Sequence, residues 1–494
     1  MLDCSGEPLS FAGKTLLMKI ENLQLQSPYR QHNDIFYDDV SPTPLHQAHL
    51  ISFNTVLADE IGLSADQDEG TLVSWINGAY LPKDSRPFAM CYAGHQFGHF
   101  VPRLGDGRAI NLGKFKTHNL QLKGAGQTLY SRQGDGRAVL RSSIREYLMS
   151  EAMYGLGIAT SRALGIVGSD HKVARERIET GSIVMRVSSS WVRFGSFEYF
   201  FHNNMHDKLE ALADFVISES YPELEGEEDA YYKMFVSLVD KTALMIAQWQ
   251  SVGFNHGVMN TDNMSIAGLT IDYGPFAFLD DFDPDYICNH TDHEGRYSFS
   301  NQPRIAHWNL YALAKALSPL VHFERLEKAL EQFGPSYGSY YLDIMAKKLG
   351  WSVCNEADTK RLEWMFGMMR DQSIDFTQFF RLLSHYDGDR SDLMALCESE
   401  DAISSWLDDY DERLLEEKTS VQKRQKQMLA TNPKYVLKNY ILQEAIDKAE
   451  TGDFNLVNHL LKIAHAPFDE HPEFERYAKA SPVRSRNLKL SCSS

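Results

Sequence analysis

The stretch His256-Gly257-Val258-Met259-Asn260-Thr261-Asp262-Asn263, followed closely by Ile271-Asp272-Tyr273-Gly274, constrains this chain more than any other. It is preceded by an amphipathic pattern, Asp229 to Gln250, with Phe235, Leu238, Val239, Thr242, Met245, Ile246 and Trp249 on one stripe and Gly253 just past its end. A long helix therefore delivers the chain into a polar loop. Leu269 to Ile271 reads as a short strand with Asp272 at its end, and Phe276 to Leu279 continues apolar. Asn263 and Asp272 are hard oxygen ligands, suited to a Mg²⁺ ion that keeps phosphate oxygens in its shell.

The spacing is that of a protein-kinase catalytic core with one part missing. Kinases carry H-R-D-x-x-x-x-N, whose Asp takes the substrate proton and whose Asn holds metal, and then D-F-G, whose Asp holds metal against the phosphates. His256, Asn263 and Asp272-Tyr273-Gly274 fit, but Val258 stands at the base position and has no lone pair. Asp262, beside Asn263, is the nearest surviving carboxylate; the alternative is that it only caps the loop. No A-P-E-like close follows Asp272, so activation by loop phosphorylation is not expected.

Upstream, residues 88 to 123 alternate apolar positions with glycines, the pattern of short antiparallel strands and tight turns. In Leu104-Gly105-Asp106-Gly107-Arg108 and Leu122-Lys123-Gly124, backbone N–H groups and a strand lysine are placed to meet phosphate. Equally, Gly-Asp-Gly can be a plain hairpin turn and Lys123 a solvated strand residue. G-x-G-x-x-G fails at Ile110, so a dinucleotide fingerprint is disfavoured. After a second turn, Gly134-Asp135-Gly136-Arg137, the spacing of Leu140, Ile144, Leu148 and Ala152 predicts a helix from Ala138 to Leu156. Its Glu146 either holds Lys123, as a kinase helix glutamate does, or closes a capping box with Ser143. Residues 158 to 205 return to strand-like alternation, including Ile183 to Val187 and Trp191 to Gly195. Arg186 and Arg193 in these segments are either surface residues or the local cations that a phosphate would need. Leu45 to Ile61 reads as one helix closed by Gly62, and helices with short links are expected from Ile305 to about Leu461.

The net charge of −18 over 494 residues disfavours broad nucleic-acid binding, which needs a positive footprint, and no nucleic-acid partner is expected. No apolar run approaches the roughly 20 residues of a spanning helix, so no membrane partner is expected. Met1 to Gln24 shows neither a signal peptide nor an Arg-rich transit pattern, which makes a cytoplasmic location the expectation. The six cysteines contain no C-x-x-C, so no zinc site or disulfide framework is indicated. Cys492, in the terminal Ser491-Cys492-Ser493-Ser494, is placed for redox chemistry, and Cys288, shortly after the Asp272 motif, is its candidate partner.

Taken together, Tyr92 to Gly98, Leu104 to Arg108, Leu122 to Gly126, Gly134 to Arg137, Arg186 with Arg193, the core from His256 to Gly274, Asn301-Gln302-Pro303 and the terminal Ser491 to Ser494 resemble the selenoprotein O family. The resemblance implies a kinase-like protein that binds ATP in a flipped orientation and transfers AMP, not phosphate, to Ser, Thr or Tyr hydroxyls of proteins. It implies nucleotide contacts from Gly105, Gly107, Arg108, Lys123, Asp135, Gly136, Arg186, Arg193 and Asp272, support of Lys123 by Glu146, Asp262 as proton acceptor, and Asn263 and Asp272 as Mg²⁺ (or Mn²⁺) ligands. Some relatives carry selenocysteine near the C-terminus, where this chain has Cys492.

The expected fold is α+β and two-lobed: an N-terminal extension (1–87), a nucleotide-binding N-lobe with a mainly antiparallel sheet (88–205), a helical C-lobe with the catalytic and metal motifs (206–420) and a C-terminal helical extension with a redox-prone tail (421–494). A monomer is expected. A kinase with an unusual base and a nucleotide-sensing pseudokinase scaffold are the alternatives; Val258 argues against the first and the Asn263–Asp272 metal pair against the second.

Overall fold

The computed structural model describes residues 17–32, 34–482 and 490. Its first part is mainly extended chain: β1 (Tyr37–Asp39), β2 (His49–Phe53), β3 (Phe88–Met90), the short hairpin β4 (Gly94–Gln96) and β5 (His99–Val101), then β6 (Ala109–Phe115), β7 (His118–Lys123), β8 (Ala138–Val139), β9 (Arg162–Ala174) and β10 (Ile178–Ser188). All but the β4–β5 hairpin join one eight-stranded antiparallel sheet, ordered β1-β3-β6-β7-β10-β9-β2 with β8 against β10. The boundary expected at 87/88 falls inside this sheet. Strands β1 and β2 lie before it and pair with β3 and β9.

Leu45 to Ile61 is a strand followed by a helix, not one helix. His49–Phe53 pairs with β9, a partner far along the chain that local spacing cannot reveal. Only Thr55–Ile61 (α1) is helical, started by Asn54, whose side chain accepts from Leu57 N, and ended at a left-handed Gly62 as expected. Helix α2 (Glu69–Ile76) buries Leu72, Trp75 and Ile76 against the same sheet.

Helix α3 (Leu140–Gly155) sets Ile144, Leu148 and Ala152 into the core shared with Ile166 of β9 and Val184 of β10. Burying a side chain such as Ile144 or Leu148 is worth about 1.5–3 kcal/mol, and the Ala152 methyl about 0.8 kcal/mol. Helix Asn455–His465 packs on α3 so closely that a Cβ on Gly155 would fall 1.9 Å from the Ala464 carbonyl oxygen.

Trp191 to Gly195 is not a strand: the chain is extended through Arg193 and enters α4 (Phe194–His202). Trp191, Val192, Arg193 and Phe194 are all buried, so the stretch has no exposed face. Helices α5 (His206–Ser220) and α6 (Ala230–Ser251) follow. Helix α6 feeds β11 (Phe254–Asn255), which pairs with β12 (Ala277–Phe278) and so closes the base of the loop 256–276. The short strand expected at Leu269 to Ile271 is reduced to isolated bridges from Thr270 to Thr160 and Met264. From α7 (Gln302–Leu317) to His465 the chain is helical, with a further core that includes Met345, Leu349, Met365, Phe379 and Trp406. Among the described residues no helix is long and apolar enough to cross a membrane.

Candidate functional site

A cavity of about 540 Å³ opens where β6, β7 and β10 meet α3, Arg193 at the start of α4 and the loop 256–276. The strands present its charged face by register: Lys123 stands opposite Val184 and Gln121 opposite Arg186, so residues two apart on each strand share a side. The same face turns toward α3, where Glu146 waits. Glu146 Oε2 meets Lys123 Nζ at 2.6 Å and Glu146 Oε1 meets Arg186 Nη1 at 2.8 Å. The capping-box alternative is thereby excluded, because α3 begins at Leu140 and the Glu146 carboxylate is spent on cations.

Asp272 closes the cluster from the opposite wall. Its carboxylate accepts from Arg186 and Arg193 and lies 3.5 Å from Lys123 Nζ. Burial alone would push its pKa up, but Arg193, Arg186 and Lys123 hold it well below the usual carboxylate range. The backbone there is left-handed, with φ +59°, which Asp tolerates better than most residues. Arg186 and Arg193 are almost fully buried and neither is a surface residue. Three cations share Glu146 and Asp272, with Asp106 farther off at 4.0 Å from Arg193.

The loop Gly105 to Gly107 lines the cavity but is not a hairpin turn. Asp106 is buried and its Oδ2 accepts from Met90 N and Asn111 Nδ2, both at 3.0 Å, which clamps the loop to β3 and β6. Arg108 lines the cavity beside it. In the second turn Gly136 has φ +68°, and a Cβ there would fall 2.1 Å from Gly126 O; no other residue fits that crossing. Asp135 sits at the rim, half-exposed and paired to Arg175 at 2.8 Å.

The loop after α6 brings the remaining residues to the cavity. His256, whose pKa burial lowers, bonds the Ile271 carbonyl through Nε2 at 3.0 Å and stacks on Trp249, which fixes the approach to Asp272. Val258 lines the cavity and offers no proton acceptor from its side chain. Asn263 Nδ2 donates to Val258 O at 3.0 Å, so its carbonyl oxygen is the atom left for a ligand. Arg193 holds the Asp262 main-chain oxygen at 2.6 Å. Burial pushes the Asp262 carboxyl up to about 6, against a hydrogen bond from Gln96 Nε2 to Oδ2 at 3.2 Å. Asp262 Oδ1 is buried and has no hydrogen-bond partner among the described residues.

Among the described residues no cluster of three or more His, Cys, Asp or Glu forms a ready-made metal cage. One carboxylate and one amide oxygen nevertheless suit Mg²⁺, which takes its other ligands from phosphate and water. Cys288 is buried against the Pro275 carbonyl. Cys492 lies outside the described residues; Leu490, two positions before it, bridges Asn289, and its carbonyl accepts from His290 N at 3.0 Å.

Sequence reasoning singled out neither Gln121, which bonds Arg186, nor Gln96 nor Asp106. Gln121 had a signal, since it shares a strand face with Lys123. The other two lie within the stretches Tyr92 to Gly98 and Leu104 to Arg108 that carry the resemblance, but their partners Asp262 and Met90 come from other segments, so no local pattern assigns their roles.

A family model described as protein adenylyltransferase SelO matches residues 19–465. The protein nucleotidyltransferase YdiU of Aliivibrio fischeri (strain MJ11) is 48% identical over 480 residues, covering 96% of this chain and 99% of the relative. Proteins of the same name from Myxococcus xanthus (strain DK1622) and Vibrio cholerae serotype O1 are 45% and 47% identical, covering 96% and 93% of this chain and 99% and 96% of their own lengths.

Proposed function

The chain belongs to the SelO family of protein adenylyltransferases, and on that premise we propose that it transfers AMP from ATP to Ser, Thr or Tyr hydroxyls of proteins, on a two-lobed, protein-kinase-like frame. The observation that carries the reading is the state of the cavity's carboxylates. Glu146 and Asp272 are bound to Lys123, Arg186 and Arg193, Asp135 is bound to Arg175, and Asp106 lies against Arg193. Asp262 is the cavity-lining carboxylate with no ion-pair partner among the described residues, and Val258 occupies the usual base position.

In this reading Lys123, Arg186 and Arg193 receive the triphosphate, with Arg108 and the backbone of Gly105, Gly107 and Gly136 at its edge and Asp135 toward the rim. Asp262 accepts the proton of the incoming hydroxyl. The hydroxyl oxygen bonds to the α-phosphorus, the bond from that phosphorus to the bridging oxygen breaks, and pyrophosphate leaves with the electron pair toward the arginines. Charge develops where cations already stand. Asn263 Oδ1 and Asp272 would hold Mg²⁺ or Mn²⁺, which supplies further neutralisation of phosphate charge when bound. Asp262→Asn tests the assignment: transfer should fall by about 10²–10⁴-fold while Mg²⁺–ATP binding by calorimetry persists. Full transfer by this variant removes Asp262 as base.

We also propose that Cys288 and Cys492 form a reversible disulfide under mild oxidants. The position of Leu490 beside Asn289 supports it. Peptide mapping after oxidation that finds both thiols free ends this reading.

A further inference from the structure

The β4–β5 hairpin carries the Gly94-His95-Gln96-Phe97 stretch and has no task in the reaction as described above, yet it reads the catalytic loop residue by residue. His95 N donates to Thr261 Oγ1 at 2.7 Å, Gln96 Nε2 to Asp262 Oδ2 at 3.2 Å, and Phe97 N to Asn260 Oδ1 at 3.2 Å. Tyr297 OH ties the third contact by donating to Asn260 Oδ1 at 2.6 Å, and Phe97 N also reaches Tyr297 OH at 3.0 Å. On the other side His95 Nδ1 meets the buried Glu198 carboxylate at 2.7 Å. The hairpin is therefore held on both sides of Gln96, through His95 and Phe97.

Its backbone also shapes the base directly. A Cβ on Gly94 would fall 2.9 Å from Asp262 Oδ1 and 3.1 Å from Asp262 N. Only a residue without a side chain lets the hairpin lie this close, and the close approach buries Oδ1 without a donor. Rotation about the last bond of an aspartate side chain is soft, so a carboxylate contacted only by backbone would wander. The Gln96 amide removes that freedom at the other oxygen, and it lines the same cavity. A carboxylate oxygen has two lone pairs, so Oδ2 can accept from Gln96 and still take a hydroxyl proton.

We propose that Gln96 is a positioning residue for Asp262, fixing which oxygen and which lone pair of the carboxylate face the acceptor hydroxyl. This rests on the reading of Asp262 as the base. Gln96 acts through Asp262, and its loss should therefore slow transfer without weakening nucleotide binding.

The test uses the full chain, α-labelled ATP with Mg²⁺, and a fixed protein extract as acceptor. Gln96→Met, which keeps the length and loses the donor, should lower the initial rate at saturating ATP about ten- to a hundred-fold, with the KM for ATP and calorimetric Mg²⁺–ATP affinity within about two-fold. Gln96→Glu, which keeps the shape and sets a second carboxylate beside Asp262, should fall at least as far. In an Asp262→Asn background, Gln96→Met should change the residual rate by less than about two-fold, because the group it orients is gone. A wild-type rate in Gln96→Met, or the same fold loss in both backgrounds, overturns the positioning role alone. Full activity of Asp262→Asn by itself overturns the base assignment beneath it.

Discussion

Lys123 Nζ and Glu146 Oε2 meet at 2.6 Å, joining the end of β7 to the middle of α3 with side chains only 11% and 4% exposed. The same carboxylate takes Arg186 on its other oxygen. Glu146 therefore keeps two buried cations in place between the sheet and the helix.

Removing it should be costly. Glu146→Ala leaves Lys123 and Arg186 buried with a single shared partner, Asp272, and breaking a buried pair from one side typically costs about 3–5 kcal/mol. Denaturant unfolding of the variant should show a loss of that order, together with weaker nucleotide binding. A loss below about 1 kcal/mol would mean the cations find other partners.

Asp272 combines two demands, charge and a left-handed backbone. Asp272→Asn keeps the shape and tolerates the backbone, so the variant should fold while Mg²⁺-dependent transfer falls by about a hundred-fold or more. Asp272→Ala should be the less stable of the two, because it removes the carboxylate that Arg186 and Arg193 share, leaving Arg186 to Glu146 and Gln121 and Arg193 to the Asp262 main-chain oxygen, and it strains the φ of +59°. Equal unfolding midpoints for the two variants would contradict this account of the position.

Far from the cavity, Lys348 in the helix Phe333–Leu349 is buried with its ammonium 4.1 Å from the Phe380 ring centroid and no ion-pair partner among the described residues. Burial pulls its pKa down from 10.5 to about 7. Between those values the unfolded chain binds one more proton than the folded one, so stability should rise with pH across that window, by up to about 1.4 kcal/mol per pH unit. Lys348→Met should flatten the rise and stabilise the protein near neutrality. Urea unfolding of both proteins from pH 6 to 10 checks this, and a slope unchanged by the substitution contradicts it.

What was legible in the sequence follows the reach of each interaction. The spacing of His256, Asn263 and Asp272 was readable because one loop carries all three, and β11 and β12 close it at its base. The helix holding Glu146 was readable from its apolar spacing. Arg186 and Arg193 were ambiguous, since an arginine in extended chain is ordinarily exposed; their burial comes from Asp272, which no local pattern connects to them. The same holds for His49–Phe53, whose apolar spacing suggested helix until β9 supplied a strand partner, although Asn54 as a helix cap was an available signal. Gln96 lay within the Tyr92 to Gly98 stretch that carries the resemblance, but no local pattern gave its role, because its partner Asp262 lies on a different element.

The central claim is that the transferred group comes from the α-phosphorus. Incubating the full chain with Mg²⁺, a protein extract and ATP labelled at either the α or the γ position, then following label into protein, tests it directly. The account predicts label from α and none from γ, with the α label lowered about 10²–10⁴-fold by Asp262→Asn. Label from γ and none from α would contradict it and make the chain a kinase with another base.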